Sequence, residues 1–366
     1  MTCSDCMAHV GSAEFIDRLV SLPRKADELP LAGSFELTFR CNFNCRHCYA
    51  HYPGCPADEM STGDVQRVLD KIAEHGALLL LLTGGEIFVR KDFRDIYLHA
   101  KRLGLLLTLY TNATLIDEPM ADLLAEYPPR HIEISVYGHT AETYERVTGV
   151  RGSHARFDAG VSRLLDRKLP VRFKTIVLKS NQHEFNDILR WADTFGYSLR
   201  YDAIVNPRLD GNMEPALERI DAQSFAELYP HGEEEIGKLA ELRGAARQAP
   251  PDDRLFKCGA GRMAFHVDPQ GRIHACMMWR KSPYDFLTGS VEGWNRQMRD
   301  LSLGKAPAQS ACTTCVDRLT CASCAPTSLL ETGEAGMDVP YYCRLCEARD
   351  KELDIRSFEL KRHVPA

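Results

Sequence analysis

No apolar run in the 366 residues is long enough to cross a bilayer. The longest, 77–82 and 103–109 around Gly104, fall short of the roughly 18–20 residues a spanning helix needs. The opening residues, Met1-Thr2-Cys3-Ser4-Asp5-Cys6, have neither a basic region nor an apolar one, which argues against secretion. Positive charge is in deficit: 45 Lys and Arg face 51 Asp and Glu, a net charge of −6. That balance disfavours bulk phosphate binding, so neither nucleic acid nor membrane is expected as a partner. Cysteine is missing altogether from 56–257. With 44% hydrophobic and 26% charged residues the chain reads as globular, and its length allows one large α/β domain plus a smaller one.

Cysteine is abundant everywhere else. Of 14 in total, six lie at 3, 6, 41, 45, 48 and 55, and the remainder crowd into 258–346. A disulfide framework would serve a small exported domain, and this chain is neither small nor visibly exported. In a reducing cytoplasm, cysteines two or three residues apart more often mark metal sites, and thiolates select zinc, copper(I) or iron–sulfur clusters. Two metal-bearing regions separated by a cysteine-free scaffold are therefore expected.

The scaffold reads as repeated β/α units. Strands are expected at 34–40, 77–83, 105–111, 131–136, 171–178 and 199–205, with helices near 61–75, 92–103, 117–126, 155–168 and 183–195. Ser61 or Thr62 should cap the first helix, and Asp117 with Pro119 should open the third. Gly76, Gly104 and Gly196 fall just past helix ends, where a left-handed residue is usual. The all-leucine second strand suits a buried parallel strand. Six such units predict a partial (β/α)6 TIM-like barrel with its chemistry at the carboxyl ends of the strands. The expected division is an N-terminal extension at 1–33, the barrel at 34–206, a polar helical connector at 207–257, a cysteine-rich α+β domain at 258–349 and a tail at 350–366.

Cys41-Asn-Phe-Asn-Cys45-Arg-His-Cys48-Tyr49 follows the first strand. Its spacing lets one loop present three thiolates to a four-iron cluster and leave one iron open, whereas ordinary ferredoxin cubanes take four cysteines. The competing assignment is a zinc site completed by His47, His51 or Cys55. Thr83-Gly84-Gly85-Glu86 ends the second strand on the same rim. Two glycines permit close backbone approach, and the carboxyl can accept from an amine.

Together these two loops resemble the radical S-adenosylmethionine (radical SAM) superfamily, whose signature is CxxxCxxC followed by a GGE-type turn. The resemblance implies Cys41, Cys45 and Cys48 as ligands of a [4Fe-4S] cluster, with S-adenosylmethionine chelating the fourth iron. It places Gly84, Gly85 and Glu86 at the methionine moiety, and His47, with Tyr49 beside it, at the adenine. Asn112 in Tyr110-Thr111-Asn112-Ala113-Thr114 matches a ribose-side turn in which the family has glycine where Ala113 stands. Ser135 matches a position on the cofactor's ribose or carboxylate. Arg146 is a candidate carboxylate partner, with a plain surface arginine as the even alternative. Lys174 and Asn181 flank strand five and read as solvated end residues; Tyr201 and Asp202 aim into the barrel or join a buried network.

The second cysteine region runs Cys258, Gly271-Arg-Ile-His-Ala-Cys276, Cys312-x2-Cys315-x5-Cys321-x2-Cys324 and Cys343-x2-Cys346. Eight thiolates suit two cubanes or two zinc sites. The arrangement resembles the SPASM/twitch-type iron–sulfur domain of one radical SAM subfamily, departing in an early Cys324 and one extra closing cysteine. The resemblance implies two auxiliary clusters. Cys312, Cys315, Cys321 and one of Cys343 or Cys346 would hold the outer one; Cys258, Cys276 and Cys324 would hold the inner one, with the other member of the closing pair, a non-thiolate group or the substrate as its fourth ligand. Cys3, Cys6 and Cys55 receive no role.

The resemblance further implies an enzyme that cleaves S-adenosylmethionine to a 5′-deoxyadenosyl radical and abstracts hydrogen from a peptide or protein side chain. The expected outcome is a cross-link or oxidation in ribosomal peptide maturation. Formylglycine formation in a sulfatase and porphyrin chemistry, which Cys258-Gly-Ala-Gly261 also resembles, are the alternatives, with a non-enzymatic zinc or iron–sulfur module last. A flavodoxin- or ferredoxin-type electron donor is implied. Only about 33 residues precede the first strand, against the roughly 80 of a fused leader-binding domain, so a separate small leader-peptide-binding protein is expected.

Overall fold

The computed structural model describes residues 25–50, 58–228 and 233–363, with side chains left out at 233–235 and 355–363. Cys3, Cys6, His51 and Cys55 lie outside those residues.

Six parallel strands form the expected half-barrel: β1 (Ala32–Glu36), β2 (Leu79–Thr83), β3 (Leu106–Thr111), β4 (His131–Ser135), β5 (Val171–Ile176) and β6 (Leu199–Asp202), paired in sequence order. Helices α1 (Thr62–Glu74), α2 (Phe93–Arg102), α3 (Glu118–Glu126), α4 (Ala141–Thr148), α5 (Ser153–Asp166) and α6 (Phe185–Asp193) make the crossovers. Ser61 caps α1 by accepting from the Asp64 amide, and Asp117 caps α3 by accepting from Met120. Gly76, Gly104 and Gly196 all take positive φ past their helices.

The strands are shorter than the sequence predicts. Beyond Glu36 the chain stays bonded to the turn after β2, with Gly85 N–H donating to the Thr38 carbonyl and Glu86 N–H to that of Arg40. At the end of β6, the Asp202 carboxylate accepts from the Ala203 and Ile204 amides and stops the ladder. The β4–β5 crossover is two helices rather than the one expected at 155–168. Gly149 and Gly152, at φ 68° and 71°, break it between α4 and α5.

In β2, Leu80 and Leu82 are fully buried while Leu79 and Leu81 are only partly so. One face of the strand is closed by helices, among them α1 with Val65, Val68, Leu69 and Ile72. The other face belongs to the interior of an open half-barrel, so the burial expected on both faces is met on one.

After helices α7 (Ala222–Leu228) and α8 (Glu233–Gln248) the chain returns to the same sheet. Strand β7 (Ala264–Val267) runs parallel to β1, and β8 (Arg272–His274) and β9 (Tyr284–Asp285) add antiparallel beyond it. The cysteine-rich segment is thus welded to the barrel edge. A buried charge network pins that seam: Arg280 donates to Glu36 at 2.8 Å, His266 lies 3.4 Å from the same carboxylate, and His274 pairs with Asp268. Helices α9 (Val291–Ser302), α10 (Ala325–Thr332) and α11 (Pro340–His363) complete the chain. The expected divisions at 33/34 and 349/350 fall inside β1 and α11. Among the described residues no helix is long and apolar enough to cross a membrane.

The α4 entrance depends on one acid from another element. Buried Glu184 accepts from the amides of His139 and Thr140 and from the hydroxyls of Thr140 and Thr143. Burial alone would raise its carboxyl; these bonds outweigh burial and hold it at about 2, below the ordinary 4.5. Glu184→Gln should therefore cost about 2–3 kcal/mol at neutral pH. Because the folded-state value is depressed, the wild-type advantage is full above 4.5 and fades as pH falls toward about 2. Denaturant unfolding of both proteins across that window checks it; a constant gap would overturn it.

Candidate active site

The carboxyl ends of the six strands surround a cavity of about 570 Å3. Cys41, Cys45 and Cys48 line it together with Gly84, Gly85 and Asn112. His47, Tyr49 and Ser135 complete the expected set. The cluster loop is held from two sides. Its Asn44 amide donates to the Thr148 carbonyl at the end of α4, and Asn42 exchanges hydrogen bonds with Thr114 and Asn112 after β3.

The glycine pair has a packing cause. A Cβ on Gly84 would lie 2.6 Å from the Thr38 carbonyl oxygen, and one on Gly85 would lie 2.2 Å from that of Arg40 and 3.0 Å from the Cys41 Cβ. The pair therefore lets the β2 turn press on the approach to Cys41 while also edging the cavity. Gly85→Ala should cost about 1–3 kcal/mol by overpacking and lower the iron retained on reconstitution; thermal melts with iron assays read both. An unchanged iron content would overturn the link to Cys41.

Glu86 departs from expectation. It does not line the cavity: one oxygen accepts from Thr111 Oγ1 at 2.8 Å and the other from the Asn112 amide at 2.7 Å. Burial raises its carboxyl to about 7 against those bonds. It ties the β2 turn to the β3 turn. That β3 turn keeps a left-handed residue although alanine replaces glycine: Ala113 sits at φ 61°, with the Asn112 side chain accepting from the Thr114 amide and hydroxyl. Arg146 is not brought to the cavity either. Its guanidinium is engaged by the Ser180 carbonyl and Thr143 hydroxyl and faces a neighbouring cleft.

The cavity wall also holds Arg200, which the sequence reading left out, Lys174, which it took for a solvated end residue, and Asp202, which it aimed into the barrel or a buried network. Lys174 pairs in register with Arg200, and Ile176 with Asp202, and all four line the cavity. Lys174 lies over the Tyr110 ring, and burial drives its ammonium well below its ordinary range. Arg200 donates to the Tyr110 hydroxyl and pairs with Glu133 at 2.8 Å. Asn181, expected to be solvated, is buried and donates to the Tyr137 and Ile176 carbonyls.

The donor chemistry fits an iron–sulfur cluster. Burial pushes the Cys41 thiol up to about 12 and Cys45 well above its range, and nearby cysteines raise both further. Such thiols stay protonated until a metal takes the charge. Among the described residues no three His, Cys, Asp or Glu converge as ligands of a single ion. Thiolates spread over the corners of a cubane need no such convergence. His47, beside the third thiol, has a buried Nδ1 without a partner, and its ring lies 5.0 Å from that of Tyr137.

The C-terminal cysteines lie close to one another. Burial raises Cys276, and Cys324 and Cys258 raise it further. Burial likewise lifts Cys343 to about 11, with Cys321, Cys312 and Cys315 adding to it. Cys346 is buried and pairs with the Cys321 sulfur, which its hydrogen bond holds low. Cys258, Cys312, Cys321 and Cys324 share a cavity of about 280 Å3. The Tyr49 hydroxyl, next to Cys48, donates to Met277 Sδ, next to Cys276, at 3.0 Å.

A β/α half-barrel with three thiols at its strand ends, and further cysteines on its sheet edge, is an arrangement suited to holding sulfur-ligated metal clusters. The chain belongs to the radical SAM superfamily, whose family model matches residues 35–192. The family uses a [4Fe-4S] cluster and S-adenosylmethionine. Over 277 residues the chain is 30% identical to the PqqA peptide cyclase of Rhodopseudomonas palustris, covering 68% of this chain and 67% of that protein. It is 27% identical to the subtilosin biosynthesis protein AlbA of Bacillus subtilis over 72% of this chain, and spans only 58% of that protein's length. It is 24% identical to the AdoMet-dependent heme synthase of Methanosarcina barkeri, over 85% of this chain and 96% of that one. The fold is shared with SuiB of Streptococcus suis bound to the precursor peptide SuiA, at TM-score 0.66 and 13% identity over 86% of this chain and 76% of that one. It is also shared with anSMEcpe bound to AdoMet and the Cp18Cys peptide, at TM-score 0.64 and 14% identity over 92% and 100%.

Proposed function

We propose that the chain modifies a ribosomally made peptide by hydrogen abstraction, forming a cross-link or an oxidised side chain. The observation that carries this reading is the single cavity in which Cys41, Cys45 and Cys48 meet Gly84, Gly85, Asn112 and Ser135. The peptide cyclase and bacteriocin biosynthesis relatives, and the two peptide-bound structures, support the substrate class.

When bound, the cluster and S-adenosylmethionine supply a 5′-deoxyadenosyl radical. Cys41, Cys45 and Cys48 would hold the cluster; Gly84 and Gly85 would lie on the methionine side, His47 and Tyr137 on the adenine side, and Asn112 and Ser135 on the ribose side of the cofactor. Lys174, Arg200 and Asp202 line the remaining wall and orient the substrate, so that positioning rather than acid–base exchange is the protein's main contribution. Cys312, Cys315, Cys321 and one of Cys343 or Cys346 would hold an outer auxiliary cluster, and Cys258, Cys276 and Cys324 would hold an inner one, which would supply an electron acceptor beside the barrel. A flavodoxin- or ferredoxin-type protein supplies electrons, a separate small protein delivers the leader, and the enzyme works in the cytoplasm.

The test is anaerobic purification with metal analysis, then incubation with a short precursor peptide encoded beside the gene. About twelve irons per chain and a mass change in the peptide are expected. A colourless protein with stoichiometric zinc would sink the radical reading. A second reading, porphyrin chemistry, is favoured by the 96% coverage of the heme synthase and by Cys258-Gly259-Ala260-Gly261. Decarboxylation of an iron porphyrin with no change in any precursor peptide would select it.

A further inference from the structure

A second cleft, of about 860 Å3, lies against the reaction cavity, and His47 lines both. Its size is that of a ligand site, about 300–1,000 Å3. The cluster loop, the end of α4, the turn after β5 and the 208–218 segment form its walls. The 208–218 segment leans directly on the cluster loop, the Leu209 amide donating to the Tyr49 carbonyl.

Charge is concentrated here against the sign of the whole chain. Arg46, Arg146, Lys179 and Arg208 face the cleft, opposed by Glu214 and Glu218. Both acids are already engaged: Glu214 pairs with Arg208 at 2.8 Å, and Glu218 accepts from the Ser180 amide at 3.2 Å. Arg46 and Lys179 have no side-chain partner among the described residues. Arg208 is only 8% exposed, yet its Nε is buried without a hydrogen-bond partner. Buried donors are almost always satisfied, and a carboxylate oxygen satisfies a guanidinium best. Beside the cations, Leu217 stands 69% exposed on the rim, while Leu178 is buried at the wall.

We propose that this cleft binds an acidic stretch of the peptide substrate, its carboxylates on Arg208, Lys179 and Arg46 and an apolar residue on Leu217. Held there, the chain is anchored beside His47 while a neighbouring segment occupies the reaction cavity. The cations focus potential in a concave, partly desolvated site and so act on encounter rate as well as affinity. The two resident acids disfavour a polyphosphate, whose closely spaced charges would meet both. The proposal rests on the peptide reading given above and adds the substrate's charge to it.

Fluorescence anisotropy of labelled hexaglutamate, hexaglutamine and a six-nucleotide oligothymidylate on the reconstituted holoenzyme tests it. Hexaglutamate should bind at least about tenfold more tightly than hexaglutamine and weaken with salt. Lys179→Glu should weaken hexaglutamate by about tenfold, Glu218→Gln should tighten it, and Arg208→Lys, which keeps the charge but removes Nε, should weaken it. Cleavage of S-adenosylmethionine without peptide should be unchanged in Lys179→Glu. Equal affinity for all three probes, or variants that bind as wild type does, would overturn the proposal. If hexaglutamate binding follows these charges while no precursor peptide is modified, the peptide reading fails and the anionic site stands. If a precursor is modified with the same KM by wild type and Lys179→Glu, the cleft assignment fails and the peptide reading stands.

Discussion

Cys41→Ala should abolish cleavage of S-adenosylmethionine and lower bound iron by about four per chain, leaving about eight. The effect is expected to be all-or-none, because three thiolates are the minimum described set around the cavity and removal of one leaves two. Among the described residues the remaining cysteines all lie past residue 257. Folding should hardly change. Cys41 is only partly buried, and the loop around it keeps the Asn42–Thr114 and Asn44–Thr148 bonds. Chromatography of 5′-deoxyadenosine after dithionite reduction, with iron analysis and low-temperature EPR on the same sample, measures both halves. Retained cleavage would remove Cys41 from the cluster, and loss of all the iron would mean that the auxiliary sites depend on this loop.

The barrel was legible because parallel β/α units write themselves in two periods, and because Ser61, Asp117, Gly76, Gly104 and Gly196 mark helix ends by local chemistry alone. The cluster loop and the Gly84–Gly85 turn were legible for a related reason: their spacing is local, so it survives without knowledge of the fold. What stayed hidden was set by contacts distant in sequence. Glu86 turns away from the cavity because Thr111 and the Asn112 amide, 25 and 26 residues on, take its carboxylate. Arg146 is drawn aside by the Ser180 carbonyl, 34 residues on. The welding of β7 to β1 joins positions some 230 residues apart, and nothing in either strand's own pattern announces it. Lys174 and Arg200 could have been found, since strand parity puts them on one face with Ile176 and Asp202. Lys174 was instead taken for a solvated strand-end residue, which fails where a half-barrel's interior is itself the site.

Cys276→Ala should separate the two halves of the chemistry. Removing this thiol leaves Cys258 and Cys324 as a pair, too few to hold a four-iron cluster, so bound iron should fall from about twelve to about eight. Cys41, Cys45 and Cys48 are untouched, and 5′-deoxyadenosine should still form. With a peptide substrate present, hydrogen abstraction should proceed and then stall, since the electron released on oxidation has lost its acceptor. The expected record is 5′-deoxyadenosine without modified product, a drop in coupling of at least about a hundredfold at a cleavage rate within a few-fold of wild type. A mere structural lesson from the substitution would look different. Met277, the next residue, holds the Tyr49 hydroxyl beside Cys48, so a collapsed seam would lower cleavage and product together. Met277→Leu is the control for that case: it breaks the Tyr49 contact while keeping Cys276, and it should leave the iron count whole. Product formed at the wild-type rate by Cys276→Ala would show that oxidation does not pass through this site. The three-thiol group at Cys258, Cys276 and Cys324 would then serve only to fold the sheet edge against the barrel.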